Sequence, residues 1–242
     1  MIPRFYCSIP LAPGATVELP PQVAHHAERV LRLDVGDELT LFNGEGGEYP
    51  ARLVSLGKRP RALLGAWCDI ERETPLAITL AQALPSGDKM DWVIQKATEL
   101  GVRRIVPVQS QRSVLRLSGE RAVKRLAHWR QVAVAACEQC GRNRVPQVDE
   151  IQSLPQFLAA TQDTQATRLI LSLRGQEKLS AVPQPQGNII LLIGPEGDFE
   201  EGEEQAALAS GFHPAALGPR ILRTETAGLA AIATLQARLG DF

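Results

Sequence analysis

Two glycine-containing loops near the C-terminus carry residue types that suit ligand binding. The first is Gly194-Pro195-Glu196-Gly197 and the second is Leu217-Gly218-Pro219-Arg220. Glycine lets a ligand approach the backbone closely and proline stiffens a loop, so both loops can present amides and carbonyls at little ordering cost. Backbone amides and carbonyls presented in this way are well suited to form hydrogen bonds with the edge of an adenine. The other interpretation is that both loops are only tight connections between a strand and a helix.

The elements around these loops predict where the loops lie. Asn188–Ile193 is a short apolar run typical of a strand buried on both faces, and Glu200–Ser210 has a helical composition and ends at Gly211. Ala215–Leu217 predicts a second short strand, and Thr224-Glu225-Thr226 precedes an alanine-rich helix that ends at Leu239. Both loops therefore follow the carboxyl ends of strands, where open α/β sheets hold ligands.

Absent motifs exclude several kinds of chemistry. The chain has no GxxxxGK[ST] motif, no GxGxxG between a strand and a helix, no HExxH and no GxSxG. Cys137 and Cys140 are the only close cysteines, and a zinc site needs two more ligands, so they are reduced thiols or a redox pair. His25 and His26 have no further histidine nearby in the sequence, and we expect no metal.

Composition indicates a globular chain with charge segregated along its length. The 242 residues are 44% apolar and 22% charged, with a formal net charge of −1 and no apolar run near the length of a membrane span. The start has no signal pattern, so we expect a cytoplasmic protein without a membrane partner. Between Gly101 and Val145, basic residues predominate and could face phosphates. They are Arg103, Arg104, Arg112, Arg116, Arg121, Lys124, Arg125, Arg130, Arg142 and Arg144.

The first part of the chain, residues 1–72, predicts a small all-β module. Short, partly alternating runs are separated by Gly, Pro and Asn, and they are Thr16–Leu19, Glu38–Phe42, Tyr49–Leu56 and Ala62–Cys68. His25–Leu33 predicts a short helix. The glycine-rich Asn43–Gly47 is followed by a strand and no helix, so it predicts a hairpin turn and not a phosphate loop.

The second part, residues 73–242, alternates strands with helices. The polar stretch Glu71–Pro75 places a domain boundary near residue 73. The strands are Leu76–Ala83, Arg104–Val108 and Arg168–Leu173, and the helices are Lys89–Leu100 and Glu120–Cys140. Ala181–Gly187 reads as a surface connection. This alternation predicts an α/β fold with a mostly parallel sheet covered on both faces.

Four separated blocks carry a resemblance that covers essentially the whole chain. IGPEGDF, LGPRILRTETA, GDKMDWVIQKATELG and EQCGRNRVP resemble the bacterial 16S ribosomal RNA uridine N3-methyltransferases of the SPOUT superfamily. The resemblance implies a PUA-like RNA-binding β-barrel over 1–72 and a SPOUT methyltransferase domain over 73–242 with a C-terminal trefoil knot. It also implies S-adenosylmethionine as cofactor, 16S rRNA of the small ribosomal subunit as partner, methylation in the decoding region, and a homodimer.

The resemblance also carries over cofactor contacts, mostly through backbone. They are Leu171, Ile193, Gly194, Glu196, Gly197, Leu217, Gly218, Ile221, Leu222, Arg223 and Thr226. The chain departs from the family at two positions, because Asp198 stands where Gly is usual and Glu200 where Ser is frequent. We expect Asp198 and Glu201 to form a substitute helix-capping pair.

Methylation of uridine N3 requires loss of the N3 proton, so a base or a stabilising cation is needed. By the resemblance, we expect Arg112 and Arg223 to neutralise charge and Glu138 or Glu225 to orient them, while the residues do not identify a base. A contact between Arg223 and Glu225 could also only brace the loop, and Lys96 with Glu99 could be a surface pair.

RNA contacts are expected at basic residues of both parts. In the β-rich part they are Arg4, Arg29 and Arg32, and further along the chain Lys89, Arg112, Arg142 and Arg144, the last two in an exposed turn at Gly141–Pro146. Two other functions stay open: an RNA-binding module without activity, and methylation of a ribose hydroxyl or another base.

Overall fold

The computed structural model of the chain describes residues 2–162, 165–172, 177–182, 185 and 187–242. The described residues form two units, each with its own sheet. The first unit is Met1–Glu73 together with Val134–Val145, and the second is Thr74–Ala133 together with Pro146–Phe242. Residues 134–145 thus pack with the β-rich part of the chain, although they follow a segment of the second unit.

The first unit contains a five-stranded sheet in the order β1-β3-β4-β5-β2. The strands are β1 (Arg4–Tyr6), β2 (Thr16–Glu18), β3 (Glu38–Phe42), β4 (Tyr49–Ser55) and β5 (Arg61–Leu64). β1 runs parallel to β3, and the other pairs are antiparallel. Alternate residues of β4 and β5 are buried, because successive side chains of a strand point to opposite faces.

The helical segment of the first unit begins and ends earlier in the chain than the sequence predicts. An α-helix, α1, spans Pro21–His25 and continues as one π-helical stretch, His26–Val30. The predicted extension to Leu33 is wrong, because Arg32 adopts a positive φ of 55°, which ends the helix. The three-residue strand β1 was not predicted, since three residues are too short to show alternation.

The second unit contains an eight-stranded sheet in which every pairing is parallel. Its strands are β6 (Ile78–Ala83), β7 (Arg104–Gln109), β8 (Gln147–Val148), β9 (Gln152–Ser153), β10 (Ala166–Leu171), β11 (Glu177–Lys178), β12 (Asn188–Ile193) and β13 (His213–Ala216). The order is β11-β13-β10-β12-β6-β7-β8, and β9 pairs with β7. The predicted parallel α/β sheet is confirmed.

Helices connect these strands. They are α2 (Lys89–Glu99), α3 (Gly119–Cys140), α4 (Leu154–Thr161), α5 (Glu201–Ala209) and α6 (Thr224–Leu239), with a 3-10 turn at Leu179–Ala181. α6 packs against α2, β12 and β6. The helix α4 was not predicted, although Ser153 and Gln156 form a capping box at its start.

Two sequence predictions touch residues outside the described part of the chain. Leu173, the predicted end of one strand, lies outside it, and so do residues 183, 184 and 186 of the predicted surface connection. Within the described ranges, no helix is both long and apolar enough to cross a membrane.

Candidate functional site

Three neighbouring strands of the second unit end at one edge of the sheet. β10 pairs with both β12 and β13, all in parallel, so Leu171, Ile193 and Ala216 bring their following loops to the same side. The chain folds this way because Asn188–Ile193 is apolar on both faces, which suits a central parallel strand. A ligand site is expected at such an edge.

A cleft of about 650 Å³ lies at this edge, within the range of roughly 300 to 1,000 Å³ that is typical of small-molecule sites. Its walls come from the ends of β10, β12 and β13, the loops that follow β12 and β13, and the starts of α2 and α6. The lining residues are Lys89, Leu171, Ser172, Ile193, Gly194, Pro195, Glu196, Asp198, Ala215, Ala216, Leu217, Gly218, Pro219, Arg220, Ile221, Leu222, Arg223, Thr224 and Ala227.

Nine of the eleven residues expected to contact a cofactor line this cleft; Gly197 and Thr226 are not among its lining residues. The cleft also includes Lys89, which was expected to bind RNA. Among the polar and charged lining residues, the sequence analysis did not name Ser172, Asp198, Arg220 and Thr224 as cofactor contacts. Asp198 follows the first loop directly and Thr224 begins α6, so adjacency to the two loops was the available signal.

Three hydrogen bonds fix the loop after β12. The Asp198 amide donates to the Pro195 carbonyl at 3.0 Å, which closes a turn. Arg112 Nη1 donates to the Gly197 carbonyl at 2.8 Å, and the Thr224 hydroxyl donates to the Gly194 carbonyl. Arg112 therefore holds this loop through its backbone and is not among the lining residues of the cleft. Its expected part in neutralising charge stays a prediction.

A charged cluster stands at the wall of the cleft. Glu196 Oε1 accepts hydrogen bonds from the Ser86 amide at 2.9 Å, the Ser86 hydroxyl at 2.7 Å and Lys89 Nζ at 3.0 Å. Burial of the Glu196 carboxyl raises its pKa, but these hydrogen bonds outweigh burial and lower the pKa to about 2. The hydrogen bond to Glu196 also raises the pKa of Lys89, so Lys89 is a stable cation.

The start of α6 adds two more charged side chains. Arg223 is the exposed N-cap residue of α6 and lines the cleft. Glu225 lies in the first helical turn, where a carboxylate is favoured by the helix dipole. Its Oε2 has no hydrogen-bond partner among the described residues but lies 3.6 Å from Lys89 Nζ, so Glu225 is ion-paired with Lys89.

The capping pair predicted at the start of α5 is wrong. Glu203 accepts the backbone N–H of Glu200 at 3.1 Å, and Glu200 is the N-cap residue. Asp198 instead has a positive φ of 59° and accepts the Phe199 amide at 2.8 Å. A positive φ suits glycine and is tolerated by aspartate, so this position of the loop can accept either residue.

In the first unit, the turn that follows α3 is held by carboxylates. Arg142 donates to Glu73 at 2.7 Å, and the two side chains are only 4% and 7% exposed. The expected exposure of Arg142 is therefore wrong. Arg144 is 52% exposed and pairs with Glu71 at 2.7 Å. Of the two arginines, Arg144 therefore has the exposure that the sequence predicted for this turn. Phosphate contacts by both arginines stay predictions.

Arg4 and Glu138 also have partners within the first unit. Arg4 pairs with Glu48 at 2.5 Å and donates to Asn143 at 2.7 Å. Glu138 accepts the Tyr6 amide at 2.9 Å, and burial raises the pKa of this carboxyl. Glu138 is not among the residues that line the cleft.

Arg29 and Arg32 are exposed in the first unit, close to the end of the π-helical stretch.

Two of the four thiols of the first unit, those of Cys7 and Cys137, are buried. Burial raises the pKa of both Cys7 and Cys137 to about 12, which argues against Cys137 as half of a redox pair. In the described ranges no group of three or more His, Cys, Asp or Glu could hold a metal ion.

Two family models match the sequence. A model described as an RNA methyltransferase domain matches residues 72–236, and one described as an RNA methyltransferase PUA domain matches residues 19–60. The ribosomal RNA small subunit methyltransferase E of Bacillus subtilis is 34% identical over 230 residues, covering 91% of this chain and 89% of the relative. The protein of the same name from Buchnera aphidicola (Schizaphis graminum) is 32% identical over 241 residues, covering 99% and 98%.

Solved structures agree with these matches over the full length. The crystal structure of a ribosomal RNA small subunit methyltransferase E from Neisseria gonorrhoeae, bound to S-adenosyl methionine, is 44% identical with a TM-score of 0.94 and 100% coverage of both chains. A Legionella pneumophila methyltransferase in complex with the same cofactor is 37% identical, with a TM-score of 0.95 and 100% coverage of both chains.

Proposed function

The chain belongs to the family of ribosomal RNA small subunit methyltransferases E, and on this premise we propose that it methylates N3 of one uridine in the decoding region of 16S rRNA. It is an S-adenosylmethionine-dependent ribosomal RNA methyltransferase with a PUA-like N-terminal domain. The observation that carries the proposal is the cleft where β10, β12 and β13 end, because its two loops bear the motifs that resemble the uridine N3-methyltransferases.

The cleft fits the cofactor by size and by the chemistry of its walls. Its volume of about 650 Å³ suits a nucleoside-sized ligand, and Gly194 and Gly218 leave backbone groups accessible. We propose that Leu171, the 193–197 loop and the 217–226 segment hold S-adenosylmethionine. Bound there, it supplies a methyl group on a positively charged sulfonium. The protein then contributes mainly orientation, which can lower a barrier by about 7 to 11 kcal/mol.

We propose that Lys89 and Arg223 stabilise the uridine when its N3 proton leaves. Both line the cleft, and the raised pKa of Lys89 makes it a cation and not a base. A fixed positive charge beside the nucleobase lowers the cost of the N3 anion, which is the species that can accept a methyl group. We propose that Glu225 orients Lys89, from which it lies 3.6 Å away.

Arg112 and Glu138 have different proposed roles. Arg112 braces the cofactor loop through the Gly197 carbonyl, and its half-exposed side chain can still reach an RNA phosphate. Glu138 holds the Tyr6 amide, and its proposed part in orienting catalytic groups is tested by Glu138→Gln. Retained methylation by a folded Glu138→Gln variant would limit Glu138 to the first unit's stability.

RNA contacts are proposed at exposed cations of both units. Arg29, Arg32 and Arg144 in the first unit, and Lys89 and Arg112 in the second, keep part of their side chains accessible. Arg4 and Arg142 are proposed as weaker candidates, because their guanidinium groups already bind carboxylates. Removing a true phosphate contact is expected to lower the salt slope of RNA binding by about 1.

We further propose a trefoil knot, a homodimer and a cytoplasmic location, where bacterial ribosomal subunits assemble. The path of the chain supports the knot, since β13 lies beyond β10 while α6 returns to pack on β12 and β6. The alanines of α6 suit close helix approach and support the dimer. A monomeric mass in light scattering at micromolar concentration would contradict the dimer.

Mass spectrometry of rRNA from a deletion strain tests the target. Nuclease digestion is expected to show loss of a single N3-methyluridine, and the wild-type gene should restore it. Loss of a ribose methyl instead would contradict the N3 assignment. Absence of S-adenosylmethionine binding in calorimetry would contradict the enzyme and favour an RNA-binding module.

The catalytic part is tested by single-turnover methylation with purified protein. Lys89→Met is expected to slow methyl transfer at least about 100-fold, the size of effect typical of removing one electrostatic stabiliser. Lys96→Met is a matched control on the same helix, since Lys96 pairs with Glu99 and is not a lining residue. Equal rates for both variants would remove Lys89 from the mechanism.

A further inference from the structure

Gln82 is a polar residue in the middle of an apolar parallel sheet. It lies on β6, its register neighbours are Ile193 of β12 and Pro107 of β7, and it is 0% exposed. A strand buried on both faces is usually built from apolar residues. The position of Gln82 therefore needs an explanation other than packing.

The Gln82 amide is the first member of a hydrogen-bonded chain. Its Nε2 donates to Thr224 Oγ1 at 2.8 Å and to the Ala83 carbonyl at 3.1 Å. The hydroxyl of Thr224, which is 6% exposed, donates a hydrogen bond to the Gly194 carbonyl. The chain thus links the end of β6, the start of α6 and the end of β12.

The number of available protons determines which group donates and which accepts in each of these hydrogen bonds. A carbonyl only accepts, so the single hydroxyl proton of Thr224 is used on Gly194, and the hydroxyl must accept from Gln82. Gln82 must therefore present its NH₂ group to Thr224 and Ala83. Its Oε1 is left buried without a hydrogen-bond partner in the described structure, which costs free energy of folding.

Close packing of α6 against the sheet brings the hydrogen-bonded groups of Gln82, Thr224 and Gly194 within reach of one another. A Cβ at Gly228 of α6 would lie 3.3 Å from side-chain atoms of Ile193 and Leu80 and 3.4 Å from Gln82 Oε1. Gly228 thus lets α6 approach β6 and β12 closely enough for Thr224 to reach both Gln82 and Gly194. The distance between α6 and the loop that begins at Gly194 is therefore fixed by this packing.

Gly194 and Thr224 both line the cleft, on the two different segments that enclose it. We infer that Gln82 is a positioning residue, which through Thr224 holds the Gly194 carbonyl and the start of α6 in the geometry that binds S-adenosylmethionine. The inference rests on the proposed function. Its physical basis is that Gln82 leaves an unpaired acceptor, so Gln82 adds less to stability than an apolar residue of its shape would.

The test compares cofactor affinity with stability in four single variants and in the double variant Gln82→Met with Thr224→Val. Gln82→Met removes the amide donor, Thr224→Val removes the hydroxyl at nearly constant volume, and Thr224→Ser restores it. Thr98→Val is the matched control, because Thr98 is also fully buried in the second unit, in α2, and is not a lining residue. Calorimetry gives the Kd for S-adenosylmethionine, and thermal unfolding without cofactor gives the Tm.

Gln82→Met and Thr224→Val are each expected to weaken cofactor binding by about tenfold or more, since small misplacements of a site have effects of this size. The double variant should bind no more weakly than the weaker single variant, because both break one chain. Thr224→Ser should stay within about threefold of the wild type. Thr98→Val should lower the Tm as much as Thr224→Val does while leaving the Kd unchanged.

Unchanged affinity in both Gln82→Met and Thr224→Val, with a wild type that binds, would overturn the inference alone. Additive losses in the double variant would also overturn it, because independent effects do not form a chain. A wild type that fails to bind would instead overturn the proposed function. If Gln82→Met does not fold, Thr224→Val against Thr224→Ser decides: equal affinities reject the inference, and a selective loss in Thr224→Val supports it.

Discussion

The loop Gly194–Gly197 and the turn Gly141–Pro146 look similar in sequence, since each combines glycine, proline and charged side chains and each belongs to a block that resembles the methyltransferase family. In the second unit, the loop lines an open cleft and its carbonyls are held by Arg112 and Thr224. In the first unit, the turn is closed by carboxylates, and Arg142 is only 4% exposed.

This difference shows that charge in a sequence does not reveal whether a side chain faces a ligand. Arg142 and Arg223 carry the same guanidinium group, but the first lies on Glu73 and the second is exposed beside the cleft. We therefore propose that the turn serves stability and that the loop serves ligand binding. Four substitutions can break or sharpen this contrast.

The largest effect is expected for Arg142→Ala. The change leaves Glu73 buried without its partner, and removal of one member of a buried ion pair costs about 3 to 5 kcal/mol of unfolding free energy. Urea unfolding measures this loss. Arg144→Ala is the matched control, since that pair is half-exposed and contributes about 1 kcal/mol or less.

The opposite outcome for Arg142→Ala would break the comparison. If stability stays within about 1 kcal/mol of the wild type, a value at the surface-pair level, and the salt slope of RNA binding falls by about 1, the turn is a phosphate site and not a structural one.

A smaller effect is expected for Gly218→Ala in the second cleft loop. Gly218 has a φ of 95° with open space around its Cβ position, so the cost is backbone strain alone, about 1 to 2 kcal/mol. The loop is expected to shift, and affinity for S-adenosylmethionine should fall by about tenfold, equivalent to about 1.4 kcal/mol. Calorimetry measures the Kd.

Gly57→Ala is the control for Gly218→Ala. Gly57 has a φ of 86° with open space around its Cβ position, so it carries the same backbone strain, and it is not a lining residue of the cleft. Loss of affinity equal to that of Gly218→Ala would mean that the effect of Gly218→Ala does not arise in the cleft.

A pH-dependent contribution to the unfolding free energy is expected from Glu196 in the cleft. It is about 1 kcal/mol, a value reduced for solvent screening. The pKa of Glu196 in the folded protein is about 2, below its ordinary value of 4.5. A lowered pKa gives stability that is present above pH 4.5 and is lost as the pH falls toward 2. The difference in unfolding free energy between the wild type and Glu196→Gln should therefore shrink over that window.

Urea unfolding at several pH values between about 2 and 6 measures this difference. Ser86→Ala removes one hydrogen-bond donor to Glu196 and should reduce the difference in part. A difference that is constant with pH would show that the Glu196 hydrogen bonds do not persist in solution.

The smallest effect is expected for Asp198→Gly. Glycine relieves the positive φ of 59° but loses the hydrogen bond to the Phe199 amide, so the two changes nearly cancel and stability should stay within about 0.5 kcal/mol. Asp198→Ala keeps the strain without the hydrogen bond and should cost about 1 kcal/mol or more. Equal stabilities of the glycine and alanine variants would show that the loop relaxes in solution.

The sequence by itself determined the parallel sheet and most of its strands. Asn188–Ile193 and Glu38–Phe42 were predicted with the bounds that the structure shows, because apolar runs and alternation report burial directly. The two glycine loops were also predicted to follow strand ends, since strand order along the chain fixes which turns lie at the carboxyl edge. The resemblance supplied the cofactor and the reaction class.

Only the tertiary structure decided which charged and polar side chains meet. Pairs such as Arg142 with Glu73, and Lys89 with Glu196, are separated by many residues, and the sequence carries no local signal for such contacts. Gln82 reads in the sequence as one polar residue within a strand. Its connection to Thr224, 142 positions away, exists because a buried donor must find an acceptor once the sheet and α6 pack together.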